Sequence, residues 1–357
     1  MVNIYDELVK LLSEGRKSIL ARIIRQVGSA PRSLGTKCLI LDDGSVVGTI
    51  GGGCLELQVM GKAKDIFTQG KTRVLNFQLT GKEVAQSEML CGGVVDVMLE
   101  PVFPENTTAT EVFSKANNLI HEGKKGTLLT LIIDGLESSS NCRMVIEADG
   151  SVTGDFGDLL ASEKSLVEKW FETNKPALFE AEEGGLKIFA EPIEPDAVLY
   201  LFGAGHISTF VAPLAKMVGF RVCVIDDRKE FANSTRFPNA DELIICPFHE
   251  AFGRILINAS SYIAIITRGH LHDLDVLRNA LQTGAAYVGM IGSIRKRQII
   301  YKTLMDEGVS RKKIEQVHSP IGLDIGAETP EEIAVSIVAE LIQARLNKAV
   351  EKPPVKF

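Results

Sequence analysis

The stretch Val198-Leu-Tyr-Leu-Phe-Gly-Ala-Gly-His-Ile-Ser208 is an apolar run that breaks at Gly203-x-Gly205-x-x-Ser208 and resumes as a helical pattern. It reads as a strand, a tight nucleotide-binding turn and a helix. Gly203 permits the sharp turn, Gly205 leaves no Cβ between backbone and pyrophosphate, and the small Ser208 lets helix and strand pack closely. The N–H groups at the helix start, from His206 onward, are then available to an anion. A second apolar run, residues 220–225, ends in Asp226, roughly 20 residues further on, where an acid holds a ribose hydroxyl in dinucleotide-binding folds. Ser208 departs from the third glycine of that pattern. The competing reading is a Rossmann scaffold without nucleotide, because fold does not dictate function.

Outward from this turn the pattern alternates: strands at 198–202, 221–225, 242–245, 262–267 and 286–290, with helices at 209–218 and 273–281 between them. Such alternation implies a doubly wound parallel sheet with right-handed crossovers over residues 197–345, followed by a tail at 346–357. Upstream, residues 1–190 read as a mixed α/β domain. It opens with a helix spaced by Ile4, Leu8, Leu11 and Leu12, then strands at 18–27 and 37–41, a hairpin turn at Asp42-Asp43-Gly44, and a second hairpin at Ala148-Asp149-Gly150. The segment Glu191-Pro-Ile-Glu-Pro-Asp196 is the expected linker, since its two prolines suit neither a helix interior nor a central strand. The fold class is therefore α/β, with a mixed N-terminal domain and a Rossmann-like C-terminal one.

The chain has 357 residues, 45% hydrophobic and 24% charged, with a net charge of -7. That is long enough for two domains, each with its own core, and the acidic balance argues against a large nucleic-acid footprint. The start of the chain lacks the basic and apolar regions of a signal peptide, and no apolar run approaches the roughly 18 residues of a membrane span, so the expected location is cytoplasmic. Six cysteines, at 38, 54, 91, 142, 223 and 246, show no CxxC spacing, which points to neither a disulfide framework nor a zinc finger.

Several segments carry chemistry. Ile50-Gly51-Gly52-Gly53-Cys54-Leu-Glu56 is a strand breaking into three glycines and resuming as a helix with Cys54 in its first turn, where helix-terminal N–H groups favour thiolate over thiol. Cys91-Gly92-Gly93 repeats the pairing of thiol and flexible backbone. Two glycine-flanked thiols can converge on a soft metal or a sulfur-bearing ligand, or can be ordinary buried residues. Arg32 and Ser33, in the loop 28–35, can grip a phosphate or carboxylate. Arg268, His270 and His272 follow a parallel strand at the edge where ligands collect, and the two histidines can bind a divalent metal, move protons or simply bond loop carbonyls. Gly292, Ser293 and Arg295 place a glycine, a hydroxyl and a cation at another helix start. His318, Asp324 and Glu328 form a glycine-rich approach to a helix whose start is marked by Thr329, Pro330 and Glu332.

Taken together, Gly28-Ser-Ala-Pro-Arg32, Gly48-Thr-Ile-Gly-Gly-Gly-Cys-Leu-Glu56, Cys91-Gly-Gly93, Phe202-Gly-Ala-Gly-His206, Gly289-Met-Ile-Gly-Ser293 and His318-Ser-Pro-Ile-Gly-Leu-Asp-Ile-Gly-Ala-Glu-Thr-Pro-Glu331 resemble the xanthine dehydrogenase accessory (XdhC/CoxI) family. The resemblance implies a chaperone-like maturation factor rather than an enzyme with its own turnover. Such a factor binds molybdenum cofactor, as molybdopterin or its dinucleotide form, assists its sulfuration with a cysteine desulfurase, and inserts it into the apoenzyme of a molybdenum hydroxylase. It implies that Cys54 and Cys91 contact the molybdenum. A homodimer is expected. Two other readings remain open on the residues alone: an oxidoreductase using NAD(P), and a nucleotide-sensing regulator.

Overall fold

The computed structural model describes residues 3–78, 93–133, 135–137, 142–156, 175–180 and 187–347. The chain divides into two compact units, residues 2–195 and 196–357. The thiol at Cys91, with Gly92, lies outside the described residues, as does the tail from 348 onward.

In the N-terminal unit, helix α1 (Ile4–Ser13) starts where the Asn3 side chain accepts the Tyr5 N–H, and it buries Ile4, Leu8, Leu11 and Leu12 along one stripe. Strands β1 (Ser18–Val27), β2 (Lys37–Leu41) and β3 (Val46–Gly48) precede α2 (Gly53–Gln69), and β4 (Arg73–Gln78) and β5 (Val94–Val102) complete an antiparallel sheet of order β3-β2-β1-β5-β4. Helix α3 (Thr107–His121) leads into a second antiparallel sheet. It is built from β6 (Gly126–Ile132), β7 (Arg143–Glu147), β8 (Val152–Asp155), β9 (Ala177–Glu180) and β10 (Lys187–Ile193), in the order β8-β7-β6-β10-β9. The period of two along β1 sorts its side chains. Ile19, Ala21 and Ile23 pack against Leu55, Val59, Ala63 and Ile66 of α2. Leu20 joins α1, α3 and residues of the second sheet, Leu128 and Val145, in one core.

Arg22 follows Leu20 on the same face of β1 and carries a charge into that interior. It is fully buried, donates to Glu191 at 2.6 Å and pairs with Glu100, while Arg143 also pairs with Glu100. Lys37 closes the network, donating to Glu191 at 2.5 Å and to the Tyr5 hydroxyl at 3.1 Å. The expected linker is corrected here. Residues 191–193 belong to β10, paired with β6 through Glu191↔Leu128, Pro192↔Thr127 and Ile193↔Gly126. Pro192 is tolerated because β9 pairs only with residues 187–190, so among the described residues it falls where one side of β10 has no partner strand. The chain leaves the unit only after Pro195.

The C-terminal unit is a parallel sheet of β11 (Val198–Phe202), β12 (Arg221–Asp226), β13 (Glu242–Ile245), β14 (Ser261–Ile265) and β15 (Tyr287–Met290), in the order β13-β12-β11-β14-β15. Its helices are α4 (His206–Met217), α5 (Phe248–Ala251), α6 (His270–Ala280), α7 (Ile294–Asp306), α8 (Arg311–Glu315) and α9 (Pro330–Asn347). Both faces are covered, which is why the strands are continuous apolar runs. Leu199, Leu201, Val222 and Val224 pack with residues of α4 and α9, whereas Tyr200, Phe202, Cys223 and Ile225 face residues of α6 and α7. The expected helices at 209–218 and 273–281 each begin three residues earlier, at His206 and His270, because Gly205 and Gly269 are the N-caps. Among the described residues no helix is long and apolar enough to cross a membrane.

Candidate functional site

The order of the parallel strands reverses between β11 and β14, and ligands of open α/β sheets bind at the carboxyl ends of strands at such a switch point. A cleft of about 220 Å³ lies there, lined by Gly203, Gly205, His206, Ile207, Arg228, Ile266, Thr267, Arg268 and Ile291. Its floor is the turn between β11 and α4. Gly203 has φ +109°, and a Cβ on it would sit 2.2 Å from the Ile266 carbonyl oxygen, so only glycine fits. Ser208 stands in for the third glycine by donating its buried hydroxyl to the Gly203 carbonyl at 2.6 Å. A Cβ on Gly205, by contrast, would meet nothing within 4 Å. The start of α4 thus presents open backbone to the cleft.

Asp226 is buried rather than presented to a ribose. One carboxylate oxygen accepts the Ala204 N–H at 2.8 Å, and both accept the forked guanidinium of Arg228, at 2.9 and 3.0 Å. The next residue, Asp227, makes a bidentate pair with Arg268, at 2.6 and 2.8 Å, between the loops after β12 and β14. Hydrogen bonding from Arg268 holds the Asp227 carboxyl well down, at about 2. The Arg228 guanidinium also lies 3.8 Å from the Phe231 ring centre. The sequence pattern alone does not single out Arg228 or Asp227. Their one signal was adjacency to Asp226 at the end of a strand.

The remaining C-terminal candidates do not line the cleft. Ser293 caps α7, accepting the Lys296 N–H at 3.3 Å, beside exposed Arg295 and next to Gly292, which follows the cleft residue Ile291. Lys296 reaches back to the buried Asp273 of α6, which also accepts the Thr267 hydroxyl at 2.5 Å, so strand end and both helix starts are tied together. His270 is exposed at the start of α6, and His272 packs edge-on against Phe248 at 5.3 Å. Residues two apart on a helix do not face each other. Among the described residues no group of three or more His, Cys, Asp and Glu is placed to hold a metal ion.

His318 is held elsewhere: its Nδ1 lies 2.9 Å from Glu340 of α9, and its ring lies 4.5 Å from that of Tyr287. Glu340 also accepts from the Tyr287 hydroxyl and the Gly322 N–H. His318 pairs with Gly289 as a parallel bridge, and Asp324 is exposed. The expected capping box is present, with the Thr329 hydroxyl accepting the Glu332 N–H and the Glu332 carboxylate accepting the Thr329 N–H.

In the N-terminal unit three motifs meet. The loop 28–35 lies against the glycine turn, since a Cβ on Gly51 would sit 3.0 Å from Pro31 and 3.5 Å from the Arg32 side chain. It also lies against Gly93, where a Cβ would sit 2.3 Å from the Ser29 carbonyl oxygen. Gly52 caps α2, Gly53 is its first residue and Cys54 its second. Glu56 holds the turn, accepting from the Gly52 N–H at 2.9 Å and the Thr49 hydroxyl at 3.0 Å. Arg32 is exposed.

Cys38, Cys142, Cys223 and Cys246 are free and buried. Burial pushes the Cys38 thiol up to about 12 and Cys142 to about 11, and raises Cys223 and Cys246 as well. Alkylation at neutral pH is therefore expected at Cys54 ahead of all four, at least about tenfold faster. Mass spectrometry of modified peptides against time checks this, and faster labelling of Cys38 or Cys223 would contradict it.

Residues 199–341 match the family described as "XdhC Rossmann domain", and residues 11–78 match the "XdhC and CoxI family". The chain is 29% identical over 352 residues to a probable xanthine dehydrogenase subunit of Bacillus subtilis strain 168, covering 98% of this chain and 100% of the relative. It is 20% identical over 340 residues to the molybdenum cofactor insertion chaperone PaoD of Escherichia coli strain K12, covering 95% and 87%. The crystal structure of a xanthine dehydrogenase from Bacillus halodurans superimposes with a TM-score of 0.79 at 26% identity, covering 99% of this chain and 98% of that one. With the two family matches spanning more than half of its length and the fold shared from end to end, the chain belongs to the XdhC and CoxI family.

Proposed function

We propose that this protein is a maturation factor that holds molybdenum cofactor and inserts it into the apoenzyme of a molybdenum hydroxylase of the xanthine dehydrogenase type. The observation that carries the reading is the meeting of the Arg32 loop, the triple-glycine turn and Gly93 at the start of the helix bearing Cys54. A Cβ on Gly52 would meet nothing within 4 Å, so the turn has open backbone where a bulky ligand can approach. The donor set suits the cofactor: a thiolate for a soft metal at Cys54, with Cys91 as its partner, and a cation at Arg32 for an anionic group. In the Rossmann cleft the Gly203–Gly205 turn takes a phosphate-bearing ligand, either the nucleotide end of the dinucleotide form of the cofactor or NAD(P). Once transferred, the cofactor supplies the hydroxylase with its molybdenum centre. A cysteine desulfurase that sulfurates the held cofactor, and a homodimer as the working form, complete the proposal. Both are tested by co-purification of tagged protein and by its mass in solution.

The relative named as the molybdenum cofactor insertion chaperone PaoD supports this reading over an oxidoreductase with its own turnover. Anaerobic loading with molybdopterin, followed by metal analysis after gel filtration, tests it, beside a nicotinamide nucleotide titration with and without candidate substrates. Retained molybdenum without nucleotide turnover is expected. NAD(P)-dependent turnover without molybdenum retention would replace the proposal with the oxidoreductase reading.

A further inference from the structure

Which phosphate-bearing ligand suits the Rossmann cleft should be decided by the acid that ends its second strand, and that acid is already engaged. A carboxylate at this place selects an unmodified ribose by accepting from its hydroxyls. Asp226 is 1% exposed, and its two oxygens serve the Ala204 N–H and the Arg228 fork. Its role is to aim Arg228. Two of the five guanidinium donors face Asp226, the plane rests on Phe231, and the far edge still has donors to offer in the cleft that Arg228 lines. A guanidinium fixed in this way recognises a phosphate at little entropic cost.

The second cation of the cleft, Arg268, is matched to Asp227, whose carboxylate copies the forked geometry of a phosphate. The four side chains are contiguous: Arg228 Nε lies 3.8 Å from Asp227 and Arg268 Nη1 lies 4.0 Å from Asp226. Two of the four, Asp227 and Arg268, are 28% and 40% exposed, so their pair can open without disturbing the core.

Resting on the nucleotide-binding reading of this cleft, we propose that it selects a nucleotide whose adenosine ribose carries an additional phosphomonoester at its 2′ position. Arg228 and Arg268 hold the phosphate, and Asp227 occupies Arg268 until the phosphate displaces it. The ligand class is that of NADP(H) rather than NAD(H).

Calorimetric titration of the full chain with NADP+, NAD+, 2′,5′-ADP, 5′-AMP and inorganic phosphate tests this. NADP+ is expected to bind at least about tenfold more tightly than NAD+, and 2′,5′-ADP more tightly than 5′-AMP, the gain of one charge-assisted pair. Arg268→Gln and Arg228→Gln should each remove the preference, while Asp227→Asn should strengthen NADP+ binding several-fold and leave NAD+ unchanged. Because Arg228 is tied to a buried acid, the exposed pair Arg268→Gln and Asp227→Asn decides the matter if Arg228→Gln is unstable. Equal affinity for NAD+ and NADP+ overturns the selectivity and leaves nucleotide binding standing. No binding of either, with Gly205→Val behaving as the parent, overturns both.

Discussion

Gly205→Val should abolish binding of a phosphate-bearing ligand in the Rossmann cleft while leaving thermal unfolding close to that of the parent, whereas Gly203→Ala should unfold the C-terminal unit more readily. The two glycines lie two residues apart, yet they do different work. At Gly205 the backbone is ordinary, with φ -72°, and an added Cβ meets nothing within 4 Å, so a side chain there strains neither backbone nor Cβ packing and takes up the room an anion needs at the start of α4. Losing two or more charge-assisted N–H contacts costs about a hundredfold or more in affinity, roughly 3 kcal/mol. At Gly203 the positive φ and the Ile266 carbonyl 2.2 Å from the added Cβ act together, and we expect a loss of about 2–3 kcal/mol or more. Calorimetric titration and thermal denaturation of the two variants check this. Unchanged affinity in Gly205→Val would mean that the turn is architecture alone.

Arg22→Ala should be the most damaging substitution in the N-terminal unit. Arg22 is fully buried between Glu100 and Glu191, and its removal leaves two carboxylates in the interior with Arg143 and Lys37 alone to balance them. Breaking a buried pair from one side costs about 3–5 kcal/mol, which lowers the melting temperature of a unit this size by about 10 °C. The network also sets an acid limit. Burial raises the Glu191 carboxyl, and the charges and hydrogen bonds of Lys37 and Arg22 more than offset that, leaving it below its ordinary value. Its contribution is therefore fully present above the usual glutamate value of about 4.3 and is lost as pH falls through the lower folded value. Thermal scans of parent and Arg22→Ala from pH 7 to pH 3 should converge at the acid end. An unchanged melting temperature at pH 7 would contradict this view of the core.

The parts of the fold that were legible in the sequence are those governed by local pattern. Strands 18–27, 37–41, 198–202 and 242–245 and the helix on Leu8 and Leu11 were read where the structure has them, because alternation, apolar runs and glycine turns act over a few residues. The division of residues 2–195 into two sheets was not legible, nor was the place of Glu191 in a strand. Both depend on partners far along the chain: Arg22 meets Glu100 and Glu191, 78 and 169 positions away. Pro192 actively misled, since a proline in a strand is recognisable as tolerable only when the free edge beside it is known. In the cleft, Gly203 and Gly205 were readable from the space they leave. Asp226 was readable as an acid in the right place, but not as one used up by Ala204 and Arg228.

Whether the thiol-bearing turn of the N-terminal unit holds molybdenum cofactor is tested most directly by the molybdenum content of the anaerobically loaded full chain after gel filtration. The comparison is of the parent with Cys54→Ser and with Cys223→Ser, whose thiol is buried in the other unit. The prediction is about one molybdenum per chain in the parent and in Cys223→Ser, and a loss of at least about tenfold in Cys54→Ser with its circular dichroism unchanged, the cost of one soft-metal donor. Equal molybdenum retention by Cys54→Ser and the parent would contradict it.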